Sequence, residues 1–259
     1  MIFDSHAHYD SEQFNEDREE LLGSVLPQKG VCGVINMSAD FESLEKTVSL
    51  CDQYDYFYGA VGIHPECAAD LPENWLEEVE SLLPHPKIVA IGEIGLDYYW
   101  EDACPRERQK EVFIAQLELA KKYDLPVVIH DREAHGDMME ILRKYKPKGV
   151  VHCFSGSVEL ARETIALGMY IGLGGVVTFK NARHSVEVAA DIPIDRLLTE
   201  TDAPYMAPVP MRGKRCDSSM IPYDAAKIAE VRGITAQEVL TAGCENACRL
   251  FSIPMPQAE

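Results

Sequence analysis

The chain has 259 residues, 46% of them hydrophobic and 26% charged, with 43 acidic side chains against 24 basic ones and a formal net charge of −19. That balance argues against a surface that coats long stretches of nucleic acid, although it leaves room for a local basic mouth on an acidic body. The longest largely apolar stretch, residues 169–177, is nine residues with three glycines, far short of the roughly 18 needed to span a membrane. Eight cysteines without a C-x-x-C pair are too sparse for a disulfide scaffold and read as buried free thiols. Thiolate ligation of zinc would have to arise at Cys244 and Cys248, which share a helix face, or at Cys153 beside His152. An acid stands as early as Asp4, so no secretory leader is expected, and a cytoplasmic monomer is.

The first strand-like run covers residues 2–8 and ends in His6 and His8. On a strand, residues i and i+2 share a face about 6.5–7 Å apart, so two imidazoles there can close on one ion. Helical spacing follows at 15–28, then a strand at 33–37, a helix at 41–53 and a strand at 56–63 with His64 just past it. A helix at 73–83 leads to a strand at 88–93 ending in Glu93. Pro105 opens the next helix, 105–123, from its first turn, and Lys121-Lys122 complement the dipole at its end. The strand at 126–130 delivers His130, a helix spans 134–145, and the strand at 149–153 carries His152 near its end. Gly168 is a C-cap candidate for the helix at 158–167; a strand at 169–173, a helix at 184–190 and a strand at 196–201 bring the chain to Asp202. Helices resume at 222–232 and 236–251.

Eight strands alternating with helices predict a parallel sheet, and eight repeats close most simply into a (β/α)8 TIM barrel, a fold that typically takes about 250 residues. Residues 1–259 are therefore expected to form one domain, with the active site at the C-terminal ends of the strands. Five of the eight histidines fall at strand ends, while His85, His135 and His184 lie in loops or on helices. Four imidazoles (His6, His8, His130, His152) and two carboxylates (Glu93, Asp202) suit two divalent metal ions, Zn²⁺ or Mn²⁺, or Mg²⁺ with water completing its shell. Glu93, between small glycines in Gly92-Glu93-Ile94-Gly95, is the candidate bridge. Asp202 can ligate and also accept a proton from the attacking water.

In its motifs the chain resembles the TatD-family metal-dependent deoxyribonucleases of the amidohydrolase superfamily. The motifs are D-S-H-A-H (4–8), G-I-H-P (62–65), G-E-I-G-L-D-Y (92–98), P-V-V-I-H (126–130), H-C-F-S-G (152–156), E-T-D-A-P (200–204) and R-G-K-R (212–215). The resemblance implies metal ligands at His6, His8, Glu93, His130, His152 and Asp202, with His64 near the scissile phosphate and no need for a carboxylated lysine. It also implies a deoxyribonuclease, a 3′-5′ exonuclease on single-stranded DNA or DNA ends. The loop after strand 8 departs from the family's frequent P-H-R-G-K-R-N-E-P: here it reads Pro210-Met211-Arg212-Gly213-Lys214-Arg215-Cys216-Asp217-Ser218.

Arg212, Lys214 and Arg215 form the densest cationic cluster of the chain and should overhang the site, gripping phosphates on either side of the cut. Against a net charge of −19, a footprint of a few nucleotides is expected. Tyr98, with Tyr99 and Trp100, is placed to stack on unpaired bases or to pack the rim. The competing reading is a deacylase or esterase of the same superfamily, for example on D-aminoacyl-tRNA. A structural or lost metal site would leave gaps among the six candidate ligands, and there are none.

Overall fold

The eight apolar runs become eight parallel strands, each hydrogen-bonded to the next in chain order. They are β1 (Ile2–Ala7), β2 (Val31–Met37), β3 (Phe57–Val61), β4 (Ile88–Asp97), β5 (Val127–Arg132), β6 (Gly149–Val151), β7 (Tyr170–Leu173) and β8 (Leu197–Thr199). The computed structural model describes residues 1–100 and 102–256. Covered on both faces, these strands are apolar almost throughout, as parallel strands buried in a barrel must be. Inside the barrel Phe3, Ile35, Met37, Ala60, Val128, Val150 and Leu198 fill the lower end, with Cys244, Ala247 and Phe251 beneath them. Large and small residues interlock there: a Cβ on Gly33 would come within 2.2 Å of the Phe3 ring.

The outer helices are α1 (Phe41–Gln53), α2 (Trp75–Leu82), α3 (Arg106–Tyr123), α4 (His135–Tyr145), α5 (Val158–Ala166) and α6 (Arg183–Asp191), followed by α7 (Ile221–Arg232) and α8 (Ala236–Phe251). Local chemistry sets their ends. Asp40 and Ser43 close a capping box on α1, and Thr235 and Glu238 do the same on α8. Gly168, at φ +97°, turns the chain out of α5.

Three sequence expectations change. The helix expected over 15–28 begins only at Arg18 and passes through a π-helical turn at Leu21–Val25 before ending at Leu26–Gln28. Arg18 is drawn off to bind the carbonyls of Tyr9, Asp10 and Ser11, which holds the preceding segment in a loop. Pro105 is the N-cap of α3, in extended conformation, and the helix starts at Arg106. Most consequentially, β4 runs four residues beyond Glu93 because β5 also extends, pairing Gly95 with His130, Leu96 with Asp131 and Asp97 with Arg132. Only glycine permits this approach: Gly95 has φ +145°, and a Cβ there would sit 2.0 Å from the His130 carbonyl oxygen.

No ladder joins β8 back to β1 among the described residues. Closure comes instead from an Ala7–Ala203 bridge, from Asp202 N–H to the His6 carbonyl at 2.9 Å and from His8 N–H to the Ala203 carbonyl at 2.7 Å. Below them the buried Asp4 carboxylate accepts the Thr201 amide at 3.0 Å and its hydroxyl at 2.6 Å.

Candidate metal centre

At the C-terminal mouth of the barrel, five imidazoles surround one carboxylate. Two breaks in strand pairing aim them there: the β1–β2 register shifts between Asp4 and Ala7, and the β4–β5 register between Ile91 and Ile94. Such irregularities turn a side chain out of the regular alternation, here at His6 and at Glu93. Glu93 Oε1 lies 2.7 Å from His152 Nε2, 2.9 Å from His130 Nδ1 and 3.7 Å from His64 Nε2. Its other oxygen, Oε2, lies 3.3 Å from His6 Nε2 and 3.4 Å from His8 Nε2. Asp202 Oδ1 stands 3.6 Å and 3.5 Å from the same two nitrogens. All six candidate ligands proposed from sequence, and His64, therefore meet in one place.

The donor set fits divalent ions. Three groups, His6–His8–Glu93, His6–His152–Asp202 and His64–Glu93–His130, each gather their donor atoms within 4.8 Å of one another. His6 Nε2 faces His8 Nε2 at 3.2 Å, and His130 Nδ1 faces His152 Nε2 at 3.3 Å. Nitrogens bound about 2.0–2.1 Å from a common metal would be separated by about 2.8–3.0 Å along the edge of an octahedron or about 3.3–3.4 Å along that of a tetrahedron. None of the eight cysteines, all free thiols, belongs to these groups; five are buried, and Cys67 is exposed.

Neighbouring groups set the tautomers. His8 Nδ1 is 3.2 Å from the Met37 carbonyl and donates to it, which turns the Nε2 lone pair into the pocket. His130 Nε2 donates to Asp97 Oδ2 at 2.9 Å and presents Nδ1. His64 differs: its Nδ1 accepts the Glu66 amide at 3.2 Å, so its proton sits on Nε2 and faces inward as a donor.

Burial pushes His64 down to about 3 and His6 down to about 4, so both are neutral. At His130 burial also opposes charge, but the bonds to Asp97 and Glu93 outweigh it and raise the group to about 10. Burial likewise works against the carboxylates of Glu93 and Asp202, yet the surrounding imidazoles hold both below their ordinary values. The centre is thus a nest of anions compensated by protons on histidine, sites that a cation would take over.

The structure engages two of the candidate substrate residues in contacts within the protein. Tyr98 is buried, with its hydroxyl donating to Asp137 at 2.7 Å and the Arg106 guanidinium 4.3 Å from its ring. It packs the rim and has no open face for a base. Arg215 is spent on a bidentate pair with Asp17, at 2.8 Å and 2.5 Å, and on the Gln13 carbonyl at 2.7 Å. Arg212 and Lys214 stay exposed; Arg212 lies 3.9 Å over the Phe179 ring without an ion pair among the described residues. Sequence reading also passed over Asp97, Glu200 and Arg132. Glu200, two residues before Asp202, is buried behind His152 and accepts the Cys153 amide at 2.5 Å. An acid four residues after Glu93 on a continuing strand was the available signal for Asp97.

An eight-stranded parallel barrel whose carboxyl end gathers these imidazoles about a shared carboxylate has the architecture of a metal-dependent hydrolase. Comparison with known proteins is specific. The family model described as TatD related DNase matches residues 3–252, and the chain belongs to that family. It is 43% identical over 256 residues to the uncharacterized metal-dependent hydrolase YabD of Bacillus subtilis (strain 168), covering 98% of this chain and 100% of that one. It is 32% identical over 260 residues to the 3′-5′ ssDNA/RNA exonuclease TatD of Cronobacter sakazakii, covering 96% and 97% of the two chains. The crystal structure of the TatD homolog YjjV from Escherichia coli K12 superposes with a TM-score of 0.91 at 34% identity, over 98% of both chains.

Proposed function

We propose that this chain is a phosphodiesterase that removes nucleotides from the 3′ end of single-stranded DNA or DNA ends, using two divalent ions and acting as a cytoplasmic monomer. The observation that carries the reading is the division of Glu93: one oxygen faces His130 and His152, the other His6 and His8. His6, His8 and Asp202 would hold one ion and His130 and His152 the other, with Glu93, which faces both sets, available to each. Mg²⁺, Mn²⁺ or Zn²⁺ bound there supplies a nucleophile from water and neutralises charge on the phosphoryl oxygens. Relatives named 3′-5′ ssDNA/RNA exonuclease support the substrate class, as do exposed Arg212 and Lys214.

The protein's own groups do the rest. Asp202, the more open carboxylate with 17% of its side chain exposed against 4% for Glu93, takes the proton of the attacking water. Neutral His64 donates its Nε2 proton in a hydrogen bond to the scissile phosphate, without adding charge to a site that must hold two dications. Buried Glu93 fixes both halves of the centre at once.

The test is metal-free protein reconstituted with Mg²⁺, Mn²⁺ or Zn²⁺ and assayed on 3′-labelled single-stranded DNA, RNA and a D-aminoacyl-tRNA. Loss of nucleotides from the 3′ end is expected, and Glu93→Gln should abolish it and lower the metal content. Hydrolysis of the aminoacyl ester alone, or wild-type cleavage by Glu93→Gln, would overturn the proposal.

A further inference from the structure

Beyond the centre, β4 and β5 continue as a two-stranded arm that carries an unusual cluster. Tyr99 and Trp100 are 52% and 50% exposed at the barrel mouth, among the largest apolar side chains left open to water. Their rings meet edge to face, 4.8 Å apart at 88°. Arg132, the last residue of β5, stacks its guanidinium 3.8 Å from the Tyr99 ring centre and 5.8 Å from that of Trp100. It forms no ion pair among the described residues. Tyr99 is therefore backed by a cation, and about half of each aromatic side chain stays open to water.

The cluster is fixed to the metal centre by Asp97. One carboxylate oxygen bonds His130 Nε2 at 2.9 Å; the other accepts the backbone amides of Tyr99 at 2.9 Å and Trp100 at 3.4 Å. Arg132 is also two residues beyond His130 on the same strand, which places the two side chains on one face about 6.5–7 Å apart. The Tyr98 amide bonds the Arg132 carbonyl at 2.9 Å and ties the two ends of the arm together. A rigid aromatic pair, backed by arginine and held in register with a phosphoryl-transfer centre, has the chemistry of a stacking platform for an unpaired base.

We infer that Tyr99, Trp100 and Arg132 form a nucleobase subsite that stacks a base flanking the scissile phosphate, with Asp97 as the positioning residue that sets its distance from the centre. This rests on the nucleic-acid reading above. Because stacking recognises the π-face and not the hydrogen-bonding edge, the subsite accepts any base and requires that it be unpaired.

The test compares the metal-reconstituted enzyme on two single-stranded oligonucleotides, one unmodified and one with abasic residues on both sides of the cleaved bond. Trp100→Ala and Tyr99→Ala should raise KM on the unmodified strand about 5- to 160-fold, the range of one lost stacking contact, with kcat changed little. On the abasic strand each variant should match wild type, and Trp100→Phe should restore most of the loss. Unchanged KM in the Tyr99→Ala/Trp100→Ala double variant, or equal losses on both strands, overturns the subsite. Failure of the wild type to cleave either strand overturns the nucleic-acid reading itself, and the subsite falls with it.

Discussion

The loop after β8 separates two kinds of cation that look alike in sequence, and their separation can be measured. Arg212 and Lys214 are exposed and carry no ion pair among the described residues, Arg212 donating only to the Ala207 carbonyl at 3.2 Å, whereas Arg215 is locked to Asp17. Each phosphate neutralised on a single strand contributes about −0.7 to the slope of log affinity against log salt. An Arg212→Gln/Lys214→Gln double variant should therefore flatten the slope by about 1.4, and Arg215→Gln should leave it unchanged. Between 50 and 200 mM salt, wild type should lose about sevenfold more affinity than the double variant. Arg215→Gln should act on stability instead. Its pair is partly open, with side-chain exposures of 30% and 42%, so screening limits its worth to about 0.2–1 kcal/mol, a fall in Tm of no more than about 4 °C. The assay is fluorescence anisotropy of a labelled single-stranded oligonucleotide across a salt series, in a Glu93→Gln background that leaves the strand uncut. A wild-type slope in the double variant, or an equal change in Arg215→Gln, would refute this division of the loop.

Asp97→Asn should weaken metal binding about 10- to 100-fold, as loss of a carboxylate behind a ligating histidine typically does, measured by chelator competition with far-UV circular dichroism unchanged. Asp224 is buried without a hydrogen-bond partner among the described residues, and burial holds its carboxyl well above the ordinary value. An acid raised in the folded state stabilises fully below its unfolded pKa, near 4, and that stability is lost as pH rises through the folded value. The Tm of Asp224→Asn relative to wild type should therefore climb steadily from pH 4 to pH 8, and a flat difference would contradict the assignment.

The barrel was legible because each of its strands is an apolar run of the right length, and parallel strands buried on both faces leave little ambiguity. The metal-capable side chains were legible because they end those runs. What escaped was tertiary. Arg215 finds its partner Asp17 198 residues away, a distance across which no periodicity operates. Tyr98, Tyr99 and Trp100 are adjacent in sequence, yet one is sealed and two are open, because β4 reaches Asp97 before the chain turns. That extension depends on the backbone angles of Gly95, and a run of small residues does not announce them.

The seam between β1 and β8 gives the metal a second role. Among the described residues seven neighbouring strand pairs are stitched by ladders, but the eighth junction depends on one bridge and a few bonds from Thr199, Thr201, Asp202 and Ala203 to β1 and His8. Candidate ligands lie on both sides of it, His6 and His8 on one and Asp202 on the other. An ion shared by the three would staple the barrel shut, in the manner of a cross-link. Without it, the seam is the natural place for partial opening, at a free energy below that of global unfolding. Chelation should then speed hydrogen exchange at the amides of His8 and Asp202 first, while the strands of the opposite wall stay protected, and activity should be lost on warming before helicity is.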